Sequence, residues 1–345
     1  MNTQPVKYYL GVDGGGTKTK FTLCRDNTIV GEYTSTCCHY LQIGFDGLEK
    51  LLRDGIRKVC QQVRETPEAE APKFYPSDID YAFFGLAGYR DVATDDPKIE
   101  EAVKLAVDTF ASVLKPDGFP YGLGNDCENA LAGALAGKPG INIIAGTGSV
   151  GCGRDESGGY YRCGGWHHAL GGDEGSAYWI ACRLLHTFQR QSDGRDEKTA
   201  LYDAVVDALS LDSDDMLVSR IVEEWEMDRT RIASLAPLVS ALAEAGDAPA
   251  KAILTDAAKE LADYAIAIKK HLRFRSTIRA GGMLTSGDAS PDSSLVPVSG
   301  TGGIFSIGPA LTDEFDKILR QHGMYYVAPI YTPDIGSVLL AMQTK

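Results

Sequence analysis

The 345-residue sequence lacks features that would place it in several large classes of protein. No stretch approaches the ~20 apolar residues of a membrane span, and no C-x-x-C pair occurs among its eight cysteines, which disfavours zinc and thioredoxin-type sites. Basic residues number 34 against 47 acidic ones, giving a formal charge of −13. An excess of negative charge disfavours both nucleic acids and anionic membranes as partners.

The first residues, MNTQPVK, also lack the basic-then-apolar order of a signal peptide. We therefore expect a cytoplasmic protein, in which scattered cysteines are mostly small, reduced core residues. Apolar residues make up 44% of the chain and charged residues 23%, as in ordinary folded proteins. The length suits two domains rather than one.

Two nucleotide-binding patterns are missing as well. No G-x-x-x-x-G-K-[ST] string occurs, so the chain has no P-loop. The glycines near the start lead into a second strand and not into a helix, which is unlike the Rossmann fingerprint.

What the sequence does contain is a glycine turn between two strands near its start. Residues 8–12 are mostly apolar and predict a buried strand, and Asp13 ends it. The turn that follows consists of Gly14, Gly15, Gly16, Thr17 and Lys18. Glycines let backbone N–H groups approach an anion, and the carboxylate of Asp13 is a suitable ligand for a metal ion. An ordinary glycine-rich hairpin is the alternative.

A second turn of the same kind follows the apolar strand predicted at 141–145. It consists of Gly146, Thr147, Gly148 and Ser149. Backbone amides and two hydroxyl groups are again offered to an anion. Two such turns suggest a phosphate chain held between two similar half-domains.

Asp126 lies between the two turns, after a predicted strand that ends at Gly124 and before a predicted helix. A carboxylate in this place suits a general base that accepts a proton from a substrate hydroxyl. The alternative is a helix N-cap, since Asp is favoured there. Its position between two phosphate turns favours the base.

Elsewhere the periodicity predicts helices at 45–63, 97–114, 310–321 and 335–342, and a mostly helical region at about 174–273. Further strands are predicted at 27–35, 79–86, 276–283 and 295–299, and a hairpin at 150–162.

Several strings resemble a known family. The first glycine turn is similar to the first phosphate motif of the actin, sugar kinase and heat-shock-chaperone ATPase superfamily. NDxxNALAGAL, GTGS, GGW and GDEGSAYWI, at 125–135, 146–149, 164–166 and 172–180, resemble the BadF/BadG/BcrA/BcrD ATPase family. The resemblance implies an α/β fold of two actin-like (ribonuclease H-like) ATPase domains around a nucleotide cleft. Their expected bounds are 1–124, on the sugar and phosphate side, and 125–345, which contains the helical region.

The resemblance also implies roles for particular residues. Asp126 would be the catalytic base and a sugar ligand, and Asp13 would lie near Mg²⁺. The ATP-binding residues would be Gly14, Gly15, Gly16, Thr17, Lys18, Gly146, Thr147, Gly148, Gly302 and Gly303. The sugar-binding residues would be His39, Tyr40, Asp126, Ser149, Val150, Gly165, Trp166, His167 and Asp173. A Trp face suits the apolar side of a pyranose, and a carboxylate suits its hydroxyl groups.

Two of these residues have a purely structural role as the alternative: Trp166 as a core residue, and Asp173 as a helix cap. The chain also departs from the family twice. It has His39 where relatives usually carry Asn, and Asp173 comes seven positions after Trp166 where N-acetylglucosamine kinases typically show a step of six. Both departures fall among the implied sugar-binding residues, so the sugar is the least determined part of the interpretation.

The implied activity is ATP-dependent phosphorylation of an amino sugar, N-acetylglucosamine at O6 in the first instance. Glucosamine or another hexosamine is an alternative substrate, and relatives are often homodimers. A second function is activation of a 2-hydroxyacyl-CoA dehydratase through a [4Fe–4S] cluster, with Cys127, Cys152 or Cys163 as ligands, but the CAAGTGRF-type string of such activators is absent. A sugar-sensing repressor would need a helix-turn-helix, for which seven residues before the first strand leave no room.

Overall fold

The computed structural model describes residues 6–65, 74–91, 93–274 and 295–343. The strands in this part of the chain are β1 (Tyr8–Gly14), β2 (Lys18–Arg25), β3 (Thr28–Thr36), β4 (Tyr81–Leu86), β5 (Tyr121–Gly124), β6 (Gly140–Ala145), β7 (Ser149–Arg154), β8 (Tyr160–Gly164), β9 (Val296–Thr301) and β10 (Met324–Val327). The helices are α1 (Tyr40–Glu65), α2 (Asp96–Asp108), α3 (Asp126–Ala134), α4 (Ala177–Ser192), α5 (Ala200–Leu209), α6 (Met216–Val218), α7 (Arg229–Ala233), α8 (Ala236–Glu244), α9 (Ala248–His271), α10 (Pro309–Gln321) and α11 (Pro333–Gln343).

The chain forms two compact units. The first consists of Met1–Lys138 and Pro329–Lys345, and the second of Pro139–Ala328. This division does not coincide with the predicted boundary after residue 124, because α3 and the C-terminal helix α11 both pack in the first unit. Each unit has its own mixed sheet of five strands with helices packed on it, which confirms the α/β class.

The sheet of the first unit has the order β3-β2-β1-β4-β5. Its first three strands are antiparallel, whereas β1, β4 and β5 are parallel. Leu10 and Val12 of β1 face the apolar core beneath α1, while Gly11 faces α11, where a Cβ would collide with Ser337. Alternation along β1 therefore sends Asp13 to the same side as Gly11, toward α3 and α11.

The sheet of the second unit repeats this plan with the order β10-β9-β6-β7-β8. The strands β6, β7 and β8 are antiparallel, and β6, β9 and β10 are parallel. The long helix α9 crosses β6, β7 and β8, and its Ile268 fills the space left by Gly151 and Gly153. From Ala177 to His271 the described regular structure of this unit is helical.

Most predicted elements are present, with a few differences. The helix predicted to reach residue 114 ends at Asp108, and Val113 and Leu114 are 98% and 91% exposed. The helix predicted at 45–63 has an added first turn, separated by a kink at Gly44 (φ 70°). Sequence reasoning missed β10 altogether, and the strand predicted at 276–283 lies outside the described residues. Among the described residues, no helix has the length and apolar character that a membrane span requires.

Candidate active site

The first glycine turn joins β1 to β2 and is closed by a hydrogen bond from Gly15 N to Lys18 O, 3.0 Å. Packing explains Gly14, because a Cβ there would lie 2.5 Å from Cys38 Sγ. Packing does not explain Gly16, because a Cβ there would have no neighbour within 4 Å. Gly16, Thr17 and Lys18 are all exposed. The turn thus leaves open space above its backbone, as the approach of an anion requires.

Asp13 lies directly before this turn and is held by the side chain of Asn129 on α3. Asn129 Nδ2 lies 2.9 Å from Asp13 Oδ1 and 3.2 Å from each of the Val12 and Gly85 carbonyl oxygens. Burial raises the pKa of the Asp13 carboxyl to about 6, and the nearby charge of Asp334 acts in the same direction. A cation beside Asp13 would oppose both effects.

The described residues contain no cluster of three or more His, Cys, Asp or Glu side chains that could hold a metal ion by themselves. Magnesium usually takes one or two carboxylates and completes its ligands with substrate phosphates and water. A single half-buried carboxylate at the edge of an open glycine turn fits that chemistry.

Asp126 is the first residue of α3, but it is not the cap of this helix. Asn125 is the N-cap: its Oδ1 accepts from Cys127 N at 3.0 Å, while Glu128 Oε1 accepts from Asn125 N at 3.3 Å. Asn125 also donates to the Tyr89 carbonyl oxygen, 2.6 Å away. The alternative interpretation of Asp126 as an N-cap is therefore wrong.

Asp126 and Asp13 lie at the same edge of the first sheet. Strand register places Asp13 beside Gly85 and Gly85 beside Gly124, so the carboxyl ends of β1, β4 and β5 are level. Burial raises the pKa of the Cys38 thiol to about 12, and the negative charges of Asp126 and Asp13 add to this rise. Cys38 itself adjoins the glycine turn, because its Sγ lies 3.9 Å from the Gly15 carbonyl oxygen.

His39 and Tyr40, both predicted to bind sugar, stand in the first unit at the start of α1. The buried Tyr40 donates to Asp95 Oδ2 at 2.8 Å, which raises the pKa of its hydroxyl to about 12. His39 stacks on Tyr40 with ring centroids 5.1 Å apart, and its Nδ1 accepts from Leu41 N. The Tyr40 hydroxyl is thus bound within the unit, while His39 is half-buried.

The second glycine turn, between β6 and β7, is built differently. Gly146 N donates to Gly148 O at 2.9 Å, and the carbonyl groups of Gly146 and Thr147 accept from the first residues of α4. A Cβ on Gly146 would meet nothing within 4 Å, but a Cβ on Gly148 would collide with Arg229 and with Asp173. One side of this turn is open, and the other side is filled by charged side chains.

Ser149 and Asp173 are joined by a hydrogen bond from Ser149 N to Asp173 Oδ1, 3.1 Å. The hydroxyl of Ser149 donates to the Glu174 carbonyl oxygen at 2.7 Å, and its own carbonyl accepts from Gly165 N at 3.1 Å. Asp173 is 5% exposed, has φ 64° and forms an ion pair with Arg229. Ser149 is thus the connection between three of the predicted sugar-binding segments.

The loop after β8 carries Trp166 and His167. Trp166 is 71% exposed, so its interpretation as a core residue is wrong. The exposed His167 accepts from Ala169 N and stacks on His168, centroid to centroid 4.3 Å. Val150 packs under this loop, 3.2 Å from where a Cβ of Gly165 would stand.

Gly302 and Gly303, predicted on the adenosine side, follow the carboxyl end of β9. The register of β6 and β9 pairs Ile144 with Thr301, so these glycines adjoin the second glycine turn. Gly302 has φ 96°, and a Cβ there would collide with the Ala145 carbonyl group, whereas Gly303 borders open space.

The predicted residues thus form two groups, one in each unit. The first unit holds Asp13, Gly14, Gly15, Gly16, Thr17, Lys18, His39, Tyr40 and Asp126, and the second holds Gly146, Thr147, Gly148, Ser149, Val150, Gly165, Trp166, His167, Asp173, Gly302 and Gly303. Sequence reasoning missed Asn129, which stood inside a quoted motif as a polar residue on an apolar helix. It also missed Arg229, because no motif or periodic pattern around this residue indicates a role at the site.

The cysteines named for an iron–sulfur cluster are poorly placed to reach a second subunit. Cys127 is 4% exposed, Cys152 is fully buried and Cys163 is half-buried. A cluster shared across a dimer needs its ligands at the surface of each subunit.

Comparison with known proteins decides the family. The model of the BadF/BadG/BcrA/BcrD ATPase family matches residues 10–341. The chain belongs to this family. An N-acetylmuramic acid/N-acetylglucosamine kinase of Clostridium acetobutylicum is 31% identical over 265 residues, 74% of this chain and 77% of that protein. The N-acetyl-D-glucosamine kinase of Dictyostelium discoideum is 28% identical over 98% of both chains.

Solved structures place this family member among the actin-like sugar kinases in fold. A Chromobacterium violaceum protein with N-acetylglucosamine kinase as its provisional name has a TM-score of 0.67 and 27% identity, covering 98% of this chain and 99% of its own. The ROK hexokinase of Thermus thermophilus has a TM-score of 0.53 at 14% identity, with 97% of both chains covered, and supports the fold alone. The two-domain actin-like fold is confirmed.

Proposed function

We propose that this protein is an ATP-dependent amino-sugar kinase that phosphorylates N-acetylglucosamine at O6, with Asp126 as the general base. The named relatives support an amino-sugar kinase. One structural observation supports the assignment of the base: Asp126, Asp13 and the first glycine turn lie at the carboxyl edge of one sheet. Open α/β sheets bind their ligands at this edge.

In the proposed reaction the sugar O6 attacks the γ-phosphorus of ATP. A bond forms between O6 and phosphorus, the bond to the β-phosphate oxygen breaks, and Asp126 accepts the proton from O6. The two glycine turns bind the phosphates through backbone groups, and Gly302 and Gly303 border the adenosine. Asp13 would hold Mg²⁺, which offsets negative charge on the phosphates.

The residues proposed to contact the sugar include His39, Trp166, His167 and Asp173. The exposed Trp166 offers an aromatic face to the apolar side of a pyranose. The carboxylate of Asp173 is already oriented by Ser149 N and Arg229, and each oxygen retains a lone pair for a sugar hydroxyl.

The test is a coupled ADP-release assay with ATP, Mg²⁺ and a panel of N-acetylglucosamine, glucosamine, N-acetylmannosamine, N-acetylmuramic acid and 6-deoxy-N-acetylglucosamine. We expect turnover of N-acetylglucosamine and none of the 6-deoxy sugar. Asp126→Asn should lower kcat by roughly 10²- to 10⁴-fold, the usual contribution of a general base, without changing the melting temperature.

Glu128→Gln is the matched control, because Glu128 is a carboxylate of the same helical turn that serves the cap. It should keep kcat within a few-fold. Turnover of the 6-deoxy sugar would exclude O6, full activity of Asp126→Asn would exclude this base, and no turnover of any amino sugar would exclude the activity.

A further inference from the structure

Arg229 extends from the helical region to the second glycine turn. It is the first residue of the short helix α7, and its Nη2 pairs with Asp173 Oδ2. We propose that Arg229 is the positioning residue for Asp173, and that through this pair the helical region sets the affinity for sugar. The inference rests on the proposed amino-sugar kinase.

The backbone of Asp173 is in a conformation that needs support. Its φ of 64° is in the left-handed region, which L-residues other than Asn and Asp seldom adopt. The preceding Gly171 and Gly172 allow the loop many backbone conformations, but they have no side chains that could hold Asp173 in this one. The carboxylate is what is held, with Oδ1 on Ser149 N and Oδ2 on Arg229.

Asp173 is 5% exposed, so its negative charge is largely removed from water. A buried carboxylate is strongly disfavoured unless it is paired and hydrogen-bonded. Arg229 supplies the opposite charge, and in the described part of the chain it is the ion-pair partner found for Asp173. Without Arg229, the carboxylate would be driven to turn toward solvent.

Gly148 shows how tightly the pair is packed. A Cβ at this position would lie 2.5 Å from Asp173 Oδ1 and would collide with Arg229 Nη2. Gly148, the third residue of the GTGS turn, therefore has to be glycine to leave room for the ion pair. This requirement is independent of any contact with phosphates. Arg229 and Asp173 lie against the same turn whose first residue, Gly146, borders open space.

Polar atoms beside the Arg229–Asp173 pair remain available for further hydrogen bonds. Among the described residues, Arg229 Nε and His168 Nδ1 are buried polar atoms without a partner. His168 is close enough to Arg229 and Asp173 for their charges to act on it. Polar groups of this kind are usually satisfied by water or ligand, which fits a place beside a bound sugar.

The experiment compares wild type with Arg229→Met, Arg229→Lys, Asp173→Asn and the double variant Arg229→Met/Asp173→Asn. We expect Arg229→Met to raise KM for N-acetylglucosamine by roughly 10- to 100-fold, at or below the low end of what truncating one partner of a buried charge pair costs, because the Arg229 side chain is 35% exposed. The variant should change KM for ATP by less than about threefold. Arg229→Lys keeps the charge without the planar fork and should restore part of the affinity. In the double variant, the Arg229 change should add little to that of Asp173→Asn, because both act through one pair.

Arg231→Met is the matched control. Arg231 lies two residues along the same helix, but its guanidinium stacks on Trp225 and donates to the Glu224 carbonyl group. It should leave KM for the sugar unchanged. Sugar-dependent protection against thermal unfolding gives a readout without turnover, and it should weaken in Arg229→Met.

A fall in melting temperature with an unchanged KM for sugar in Arg229→Met would show a merely structural role and overturn the inference. Equal and additive effects of the two single changes would also overturn it. If Arg229→Met fails to fold, the same two criteria apply to Arg229→Lys. Wild-type protein that turns over no amino sugar would instead overturn the proposed function, and the inference with it.

Discussion

The two units share one strand plan but support their glycine turns in opposite ways. In the first unit, the acidic residue is part of the strand: Asp13 ends β1 and is held from α3 by Asn129. In the second unit, β6 ends in Ala145, and the acidic residue is Asp173, brought from a separate segment and held by Arg229. The first turn is therefore exposed at Gly16, Thr17 and Lys18, whereas the second is packed on the side of Gly148.

This difference suggests a division of labour. In the proposed kinase, Asp13 would hold a cation beside an open turn, at the reacting end of the nucleotide. Asp173 is fixed by Ser149 N and Arg229 on the packed side of its turn, and it would recognise a neutral polar ligand. The four predictions that follow test this division, beginning with the largest expected effect.

Of the four changes in this comparison of the two units, Asp13→Asn should have the largest effect on kcat. A bound metal ion is worth several kcal/mol of charge stabilisation, and each 1.4 kcal/mol is about tenfold in rate, so a loss on the order of 10²-fold is expected. Because burial disfavours the Asp13 carboxylate, the variant should melt no lower than wild type when Mg²⁺ is absent. Steady-state kinetics over a range of Mg²⁺ concentrations, with melting curves, measures both. Asp26→Asn, at an exposed turn of the same sheet, is the control, and unchanged kcat in Asp13→Asn would contradict the assignment.

Replacing one glycine of each turn with alanine tests directly whether the first turn is open and the second is packed. Gly16→Ala places a Cβ in open space, so stability should be kept while KM for ATP rises by about tenfold, or about 1.4 kcal/mol. Gly148→Ala forces a Cβ against Arg229 and Asp173 and should lower the free energy of unfolding by about 1–3 kcal/mol. Urea denaturation and KM values distinguish them. Equal losses of stability in both variants would show that the turns are packed alike.

Much of this arrangement can be predicted from the sequence, because its signals are local. Apolar runs that end in glycines specify β1 and β6 with their turns, and helical periodicity specifies α9 and α10. Asn and Asp are equally favoured as caps, so the sequence could not decide between Asn125 and Asp126. In the structure Asn125 is the cap, because its side chain accepts from Cys127 N and donates to the Tyr89 carbonyl group.

The contacts that hold the two carboxylates could not be predicted in this way. Asn129 and Asp13 are 116 residues apart, and Arg229 and Asp173 are 56 apart. Such pairs leave no periodic pattern, since each partner looks locally like an ordinary polar residue on a helix or a loop. The division into two units also depends on a long-range contact. The packing of α11 on β1 joins the two ends of the chain, and α11 packs on α3 as well.

Two buried asparagines, one in each unit, allow a further comparison. They test whether the hydrogen bonds of Asn129 stabilise the first unit more than those of Asn142 stabilise the second. Both are fully buried, but Asn129 Nδ2 has three acceptors, whereas Asn142 Nδ2 has only Thr301 Oγ1, at 3.1 Å, among the described residues. Asn129→Ala removes a donor from two buried carbonyl groups and from the half-buried Asp13 carboxylate, and should cost about 1–3 kcal/mol of unfolding free energy. Asn142→Ala should cost less in the same urea titration. A larger loss for Asn142→Ala would reverse the comparison.

The smallest effect on stability is expected at two hairpin turns. Asp155 lies in a turn of the second unit and Asp26 in a turn of the first, and they accept different numbers of hydrogen bonds. The Ser157 hydroxyl and backbone N–H groups of Arg273, Gly159 and Ser157 donate to Asp155, lowering the pKa of its carboxyl to about 2. Asp26 accepts one bond, from Lys7 N. Because the folded pKa lies below the unfolded value of about 3.9, the stability gained from ionised Asp155 is complete above pH ~4 and is lost as pH falls toward 2. Asp155→Asn should therefore be less stable than wild type at pH 7, with a difference that narrows between pH 4 and 2, while Asp26→Asn changes little. A difference that stays the same at pH 7 and pH 3 would show that the turn depends on shape and not on charge.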